Sequence, residues 1–344
     1  MAQDALDGCY IHLSTMAKPQ VYIDGQAGTT GLRIREWLSD RDDIDVITLP
    51  DAERRSVELR KEAHRAADLA ILCLPDDEAR IAAGWAEETS TRIVDASTAH
   101  RVADGWVYGM PELHPGQRDS IREAALVSNP GCYPQGVVLS LRPLTEAGLL
   151  RADAAVAIHA LSGYSGGGRA MMERWEAPGN DYLSVPFESP YAIGRTHKHI
   201  PEMTRYSCLQ HEPHFAPAVG TFRCGMRIAI SLHRQTLADG VGVAAIQDTL
   251  DSRYADERFV LVTQRDPHVP FEEGDVALDP RVCNDTNSLE LTVVGNPLGH
   301  VLLIARLDNL GKGAAGGAIQ NMNLMLGLPE ERGLPQRDSD GGVV

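Results

Sequence analysis

"QVYIDGQAGTTGLRIREWL", Gln20 to Leu38, carries the fold. An apolar run, Gln20–Ile23, leads into a loop holding Gly25, Gly28 and Gly31, and Leu32, Ile34, Trp37 and Leu38 then recur at helical spacing. Without side chains the loop lets a pyrophosphate approach the backbone. The helix start that follows, at Thr29 and Thr30, offers unpaired N–H groups and positive potential. Gly25, Gly28, Thr29, Thr30 and Gly31 are therefore expected to hold a dinucleotide. The spacing is GxxGxxG and not GxGxxG, so a tight strand-to-helix turn with no ligand is the competing reading.

Further along, "IDVITL" (Ile44–Leu49), "LAILCL" (Leu69–Leu74), "RIVDAS" (Arg92–Ser97) and "ALVS" (Ala125–Ser128) are short apolar runs separated by helical stretches. Continuous apolar runs of this kind suit parallel strands buried on both faces. The expected fold is α/β: a Rossmann-like, doubly wound dinucleotide domain followed by an α+β domain. In the second part a helix runs through Leu144, and longer strands follow: "CGMRIAISL" (Cys224–Leu232), "SLELTVV" (Ser288–Val294) and "HVLLIARL" (His300–Leu307). Met226, Ile228, Ile230 and Leu232 alternate with Arg227, Ala229 and Ser231, the period of a sheet with one covered face. A last helix, Ala315–Leu328, is closed by Gly327 and Pro329.

The 344 residues suffice for roughly two domains. A formal charge of -16 would repel a phosphate backbone over most of the surface, which argues against nucleic acid as a partner. A few arginines and backbone N–H groups can still form one pocket for a small anion. The six cysteines, Cys9, Cys73, Cys132, Cys208, Cys224 and Cys283, show no CxxC pair and no zinc spacing; no metal is expected, and reduced thiols in a cytoplasm fit best. Met1–Ala17 lacks the basic start and apolar core of a secretory signal and reads as an extension, upstream of a possible start at Met16. No window reaches the ~18 consecutive apolar residues of a membrane helix.

Two segments point to chemistry. After the second strand, where an NAD enzyme offers an acid to the ribose, "LPDAERRS" places Arg54 and Arg55, which can fork onto a 2′-phosphate. NADPH is thus expected over NADH, although Asp51 and Glu53 stand beside the pair and two solvated loop arginines would look the same. In "SNPGCYPQ" (Ser128–Gln135), Pro130-Gly131 makes a turn and Pro134 suits a first helical turn, so Cys132 is expected at a helix N-terminus. There the macrodipole would lower the thiol pKa, and the first N–H groups could donate to an oxyanion. A buried, inert cysteine is the ordinary alternative.

"DGQAGTTGLRIRE", "ILCLPDDEAR", "DASTAHRV", "VYGMPEL", "SNPGCYP", "SGYSGGGR", "HKHIPEM" and "DNLGKGAAGGAIQNMNLMLGL" together resemble the N-acetyl-gamma-glutamyl-phosphate reductases of arginine biosynthesis, in particular their shorter form, from Lys18 to about Leu328. The resemblance implies that Cys132 attacks the γ-acyl phosphate and that NADPH reduces the resulting thioester to N-acetylglutamate 5-semialdehyde. It implies His199 as the acid/base, with His197 as the alternative. In "LSGYSGGGR", Ser162, Gly163 and Arg169 are expected at the substrate, Gly163 also at the cofactor. Arg101 in "DASTAHR" is the better phosphate candidate, a surface ion pair being its bland alternative. The longer form reads "DLSADFR" there, and His100 departs from its aromatic residue. Ser97 of that segment, Asn309 and Gly313 are expected at the cofactor, the last two because the resemblance returns the C-terminal segment to the first domain.

The expected organisation is an extension (1–17), a dinucleotide domain (18–129), a catalytic and oligomerisation domain (130–310), a helix returning to the first domain (311–330) and a polar tail (331–344), forming a homodimer or homotetramer. Reductases of N-acetyl-aminoadipyl or aspartyl phosphate would share the Cys/His chemistry and differ only in the acyl pocket. A non-catalytic NADP-binding sensor is the alternative of another class; it has no evident reason to keep Cys132, His199 and the glycine loop together.

Overall fold

The computed structural model describes residues 17–86, 88–264, 278–338 and 342–343. The extension (apart from Ala17), Cys9 and part of the polar tail lie outside the described residues.

Six parallel strands form the first sheet: β1 (Gln20–Asp24), β2 (Asp45–Ile47), β3 (Leu69–Leu72), β4 (Arg92–Asp95), β5 (Val107–Tyr108) and β6 (Leu126–Ser128), in the order β2-β1-β3-β4-β6-β5. The chain leaves β1 towards β2 and then returns to the other side for β3, so the strand order reverses beside β1. That crevice is where open α/β sheets bind ligands. Helices α1 (Thr29–Leu38), α2 (Val57–Ala66), α3 (Asp76–Ala86) and α4 (Gln117–Glu123) connect the strands. β3 is buried at all four positions, as expected of a strand covered on both faces.

One face of this sheet packs Val21, Ile23, Leu69, Ile71 and Val94 against Ile34 of α1 and against Ala318, Ile319 and Met322 of the C-terminal helix. The other packs Tyr22, Ala70, Leu72 and Ile93 against alanines of α2 and α3, namely Ala63, Ala79 and Ala82.

The second sheet is mixed and seven-stranded. It uses β7 (Ala157–Gly163), β8 (Ser189–Pro190), β9 (His214–Gly220), β10 (Met226–Leu232), β11 (Val260–Gln264), β12 (Leu289–Gly295) and β13 (Val301–Leu307) in the order β11-β12-β13-β10-β7-β9-β8. On β10 the alternation holds, with Met226, Ile228, Ile230 and Leu232 all buried. Their face is covered by α5 (Cys132–Glu146) and by α8 (Val243–Tyr254), through Val137, Leu141, Ile246 and Leu250. The remaining helices are α6 (Gly168–Glu176), α7 (Ile200–Tyr206) and α9 (Gly316–Met325). Among the described residues no helix is long and apolar enough to cross a membrane.

Candidate active site

Cys132 is the first residue of α5, with Gly131 as N-cap in extended conformation. Gly131 is hemmed in: a Cβ there would lie 2.5 Å from Nη1 of Arg101, 2.7 Å from Nε2 of His199 and 2.8 Å from Oε1 of Glu202. These three side chains therefore converge on the residue before the cysteine. From the other side, a Cβ on Gly313 would lie 2.8 Å from that of Cys132. Gly313 belongs to a π-helical turn, Gly311–Ala315, that leads into α9. π-turns are frequent at functional sites.

Two cavities meet at the cysteine. One of about 380 Å³ is lined by Tyr133, Ser162, Gly163, Tyr191, Arg195 and His197, among others. A second of about 180 Å³ is lined by Thr29, Thr30, Ala96, Arg101, Asn309 and Gly313, among others. Cys132, Gly166, Lys198 and His199 line both. The smaller cavity thus opens toward the glycine loop and the larger one away from it.

The glycine loop is built for close approach. Gly25 has φ +92°, and a Cβ there would meet the Cys73 carbonyl oxygen at 2.3 Å; one on Gly31 would meet the Gly25 oxygen at 2.6 Å. Beneath the loop, Asp24 is buried and accepts from Arg60 at 3.0 Å, with His64 Nε2 also at 3.0 Å. Arg54 and Arg55 lie in the turn after β2, outside both cavities. Nε of Arg54 makes no hydrogen bond but faces Oδ1 of Asp51 at 3.8 Å, so a carboxylate already stands beside the pair.

The thiol departs from expectation. Burial pushes the Cys132 pKa up, and the opposing pull of Arg101, the Tyr133 N–H and Lys198 does not reverse it. Helix position alone therefore leaves a thiol at rest, because desolvating a thiolate outweighs the nearby positive charge. His199 supplies the missing half. Burial, followed by Arg101, His197 and Lys198, holds its pKa well below the ordinary value, so the ring is neutral. His197 is different: its Nδ1 accepts the His199 backbone N–H at 3.2 Å, and its Nε2 faces the Tyr191 hydroxyl at 3.5 Å. In the neutral ring the proton then sits on Nε2. Burial and the cations Lys198 and Arg195 bring its pKa down to about 4.

Arg101 is buried, and each of its three nitrogens donates one hydrogen bond. It donates from Nη1 to Glu202 at 2.9 Å, from Nε to the Asn129 carbonyl at 3.1 Å and from Nη2 to the Ala96 carbonyl at 3.1 Å. Glu202 in turn accepts from the Tyr108 hydroxyl at 3.0 Å and from the Gly131 N–H at 3.1 Å. The ion pair is internal and not at the surface, and it makes Arg101 a fixed wall of the smaller cavity. The Gly131 N–H is consumed by it and is closed to an oxyanion. His100, the departure from the longer form, bonds Asp95 through Nδ1 at 2.6 Å and stacks on Trp106 with centroids 4.0 Å apart.

Three of the expected residues spend their side chains on partners within the protein. Arg169 is exposed on α6, pairs with Glu173 at 2.7 Å and lines a separate cavity beside Arg33 and Arg223. An i,i+4 pairing on the helix surface holds it there. Ser97 gives both its N–H and its hydroxyl to Asp95. Asn309 borders the smaller cavity but spends its amide on the Gly225 N–H and the Ser165 hydroxyl. Ser162 and Gly163 line the larger cavity, and Gly163 has no room for a Cβ, which would sit 2.4 Å from the Arg223 oxygen.

Sequence reasoning passed over Lys198, Glu202, Tyr191 and Arg195. Lys198 and Glu202 stand inside the quoted "HKHIPEM", flanking the histidines, and that adjacency was the available signal. Among the described residues no group of three or more His, Cys, Asp or Glu is arranged to hold a metal ion.

The family model described as semialdehyde dehydrogenase, NAD binding domain, matches residues 20–121, and the one described as semialdehyde dehydrogenase, dimerisation domain, matches residues 132–309. The chain is 44% identical over 324 residues to N-acetyl-gamma-glutamyl-phosphate reductase 2 of Nostoc sp., covering 93% of this chain and 100% of that protein. It is 46% identical over 314 residues to N-acetyl-gamma-glutamyl-phosphate reductase of Burkholderia ambifaria, covering 91% and 98%. Among solved structures, aspartate semialdehyde dehydrogenase II from Vibrio cholerae aligns with a TM-score of 0.70 at 15% identity, covering 90% of this chain and 99% of that one. Aspartate semialdehyde dehydrogenase with NADP from Candida albicans aligns at 0.61 and 15%, covering 90% and 99%. The two structures share the fold.

Proposed function

The chain belongs to the semialdehyde dehydrogenase family, among its N-acetyl-gamma-glutamyl-phosphate reductases, and from that premise we propose that it reduces N-acetyl-gamma-glutamyl phosphate to N-acetylglutamate 5-semialdehyde with NADPH, releasing phosphate, as a step of arginine biosynthesis. The observation that carries the reading is the junction of two cavities at Cys132 and His199, one facing the glycine loop and one facing away.

The residues divide the work accordingly. The resting thiol hands its proton to neutral His199 as sulfur attacks the γ-carbonyl carbon, so no buried thiolate has to be maintained beforehand. The carbon–oxygen bond to phosphate breaks and a thioester on Cys132 remains. His197, with its proton fixed on Nε2 towards Tyr191, orients the larger cavity and leaves the base role to His199. Arg101, clamped by Glu202, gives the smaller cavity a permanent positive wall.

Gly25, Gly28, Thr29, Thr30 and Gly31 would hold the pyrophosphate of NADPH, Gly313 would border its reactive end, and Arg54 with Arg55 would meet the 2′-phosphate. When bound, NADPH supplies the hydride that takes the acyl carbon to the aldehyde level. As the carbonyl re-forms, sulfur departs from carbon and recovers its proton from His199.

Mass spectrometry of protein mixed with N-acetyl-gamma-glutamyl phosphate without reductant is the test. An adduct of acyl mass on the peptide bearing Cys132, absent in Cys132→Ser, is expected. Turnover retained by that variant would remove the cysteine from the mechanism.

We place the enzyme in the cytoplasm as a homo-oligomer that does not engage nucleic acid. The second sheet supports the assembly: Ala157, His159, His214 and Ser231 leave one face open, and Phe187 and Ile193 near its edge are 68% and 73% exposed.

A further inference from the structure

Resting on the reaction proposed above, we infer that Arg33 is a positioning residue: it holds the start of α1 at a fixed distance from the π-turn and so sets the width of the smaller cavity, where the reactive end of the dinucleotide is proposed to lie. Thr29 and Arg33 are one turn apart and share a face of α1. Thr29 and Leu310 line the smaller cavity and also a neighbouring one of about 490 Å³, so these two residues form the rim between them. Arg33 lines the neighbouring cavity only. Its guanidinium therefore crosses from α1 to the second half of the chain just beneath that rim.

The far side of that crossing is a knot of two aspartates. Nη2 of Arg33 lies 2.8 Å from Oδ1 of Asp285 and 3.9 Å from Oδ2 of Asp308. Asp308 stands two residues before Leu310, and its carboxylate accepts the Leu310 N–H at 2.8 Å and the Asp285 N–H at 2.9 Å. Its carbonyl accepts the N–H of Gly313, the glycine packed against Cys132, at 2.9 Å. Asp285 has φ +61°, a left-handed conformation that Asp tolerates better than most residues, and in it the N–H meets Asp308 while the carboxylate meets Arg33. The turn has no slack against this knot, because a Cβ on Gly311 would lie 2.2 Å from the Thr286 carbonyl oxygen. An exposed ion pair would count for little, but the side chains of Arg33 and Asp308 are 16% and 0% exposed. Arg33 is the cation beside a buried carboxylate that, among the described contacts, is otherwise held by backbone N–H groups. Deleting it frees the carboxylate, and the turn built on it, to move away from α1.

Three measurements on the wild type, Arg33→Ala and Arg33→Lys test this. Phosphate released from N-acetyl-gamma-glutamyl phosphate without NADPH reports acylation of Cys132, and its first-turnover rate should stay within about twofold in both variants. Emission of NADPH bound to the substrate-free protein reports how closely its reduced ring is enclosed and needs no turnover. Its enhancement over free NADPH should be largely lost in Arg33→Ala. Reduction of the preformed thioester in a single turnover should slow by about tenfold or more in Arg33→Ala, the scale of a small misplacement of reacting groups, and Arg33→Lys, which keeps the charge, should recover part of it. Emission and reduction equal to wild type in Arg33→Ala overturn the inference, as does acylation that falls in step with reduction. A wild type that releases no phosphate burst, while Arg33→Ala still loses the NADPH emission, would instead overturn the reaction proposed above and leave the role of Arg33 standing.

Discussion

At Cys132 two tendencies compete, and burial prevails over the positive charges nearby. A sulfur at a helix start beside Arg101 and Lys198 would titrate low in water-rich surroundings, yet here the closed site raises it. The pH profile of iodoacetamide alkylation in the ligand-free protein should therefore reach half its maximal rate above the midpoint of free N-acetylcysteine. Arg101→Gln should move the midpoint further up, since it deletes a charge that favours the anion while leaving Glu202, which disfavours it. A midpoint below that of N-acetylcysteine would mean that the dipole dominates after all. Much of the site was legible at this scale, because Cys132 and His199 sit in short motifs whose order is local. Arg101 was legible as a residue but not in its setting: its partner Glu202 is 101 positions away, and only folding shows that the guanidinium is clamped by it.

Among the elements, the π-turn and α9 depend on a buried cation. Lys312 is 1% exposed, donates to Glu112 and to Gln320 at 2.7 Å each, and lies over the Phe259 ring. Gln320 also donates to Glu112, at 2.8 Å, and Gln135 donates to the Lys312 carbonyl at 3.0 Å. The network thereby ties the turn carrying Gly313 to the helix that Cys132 begins. Lys312→Met leaves Glu112 buried without its counter-charge and should cost about 3–5 kcal/mol in urea unfolding, whereas Lys312→Met with Glu112→Leu should recover much of the loss. An unchanged midpoint in the single variant would show that the pair is expendable. Of the elements themselves, the long apolar strands were readable and the irregular ones were not. β5 has only two residues, and β9 carries Pro217 in its interior, a residue that ordinarily argues against a non-edge strand.

For the molecule as a whole, the alternation on β10 foretold a sheet with one covered face but not what lies on the other. The uncovered positions, with Phe187 and Ile193 at the margin, predict that light scattering will give at least twice the chain mass at micromolar concentration. A monomer there would leave the open face and its exposed Phe187 and Ile193 without a partner. Strand order was beyond sequence reasoning, since β10 is flanked by β7 and β13, and such neighbours are chosen by packing and not by local pattern. The position of α9 has a consequence for biogenesis. Val21, Ile23 and Ile71 lie in one apolar cluster with Ala318, Ile319 and Met322, so the first half of the polypeptide cannot complete its interior when it leaves the ribosome. Translation must proceed almost 200 residues past β6 before that wall is supplied, and the usual order, N-terminal unit first, is thereby inverted.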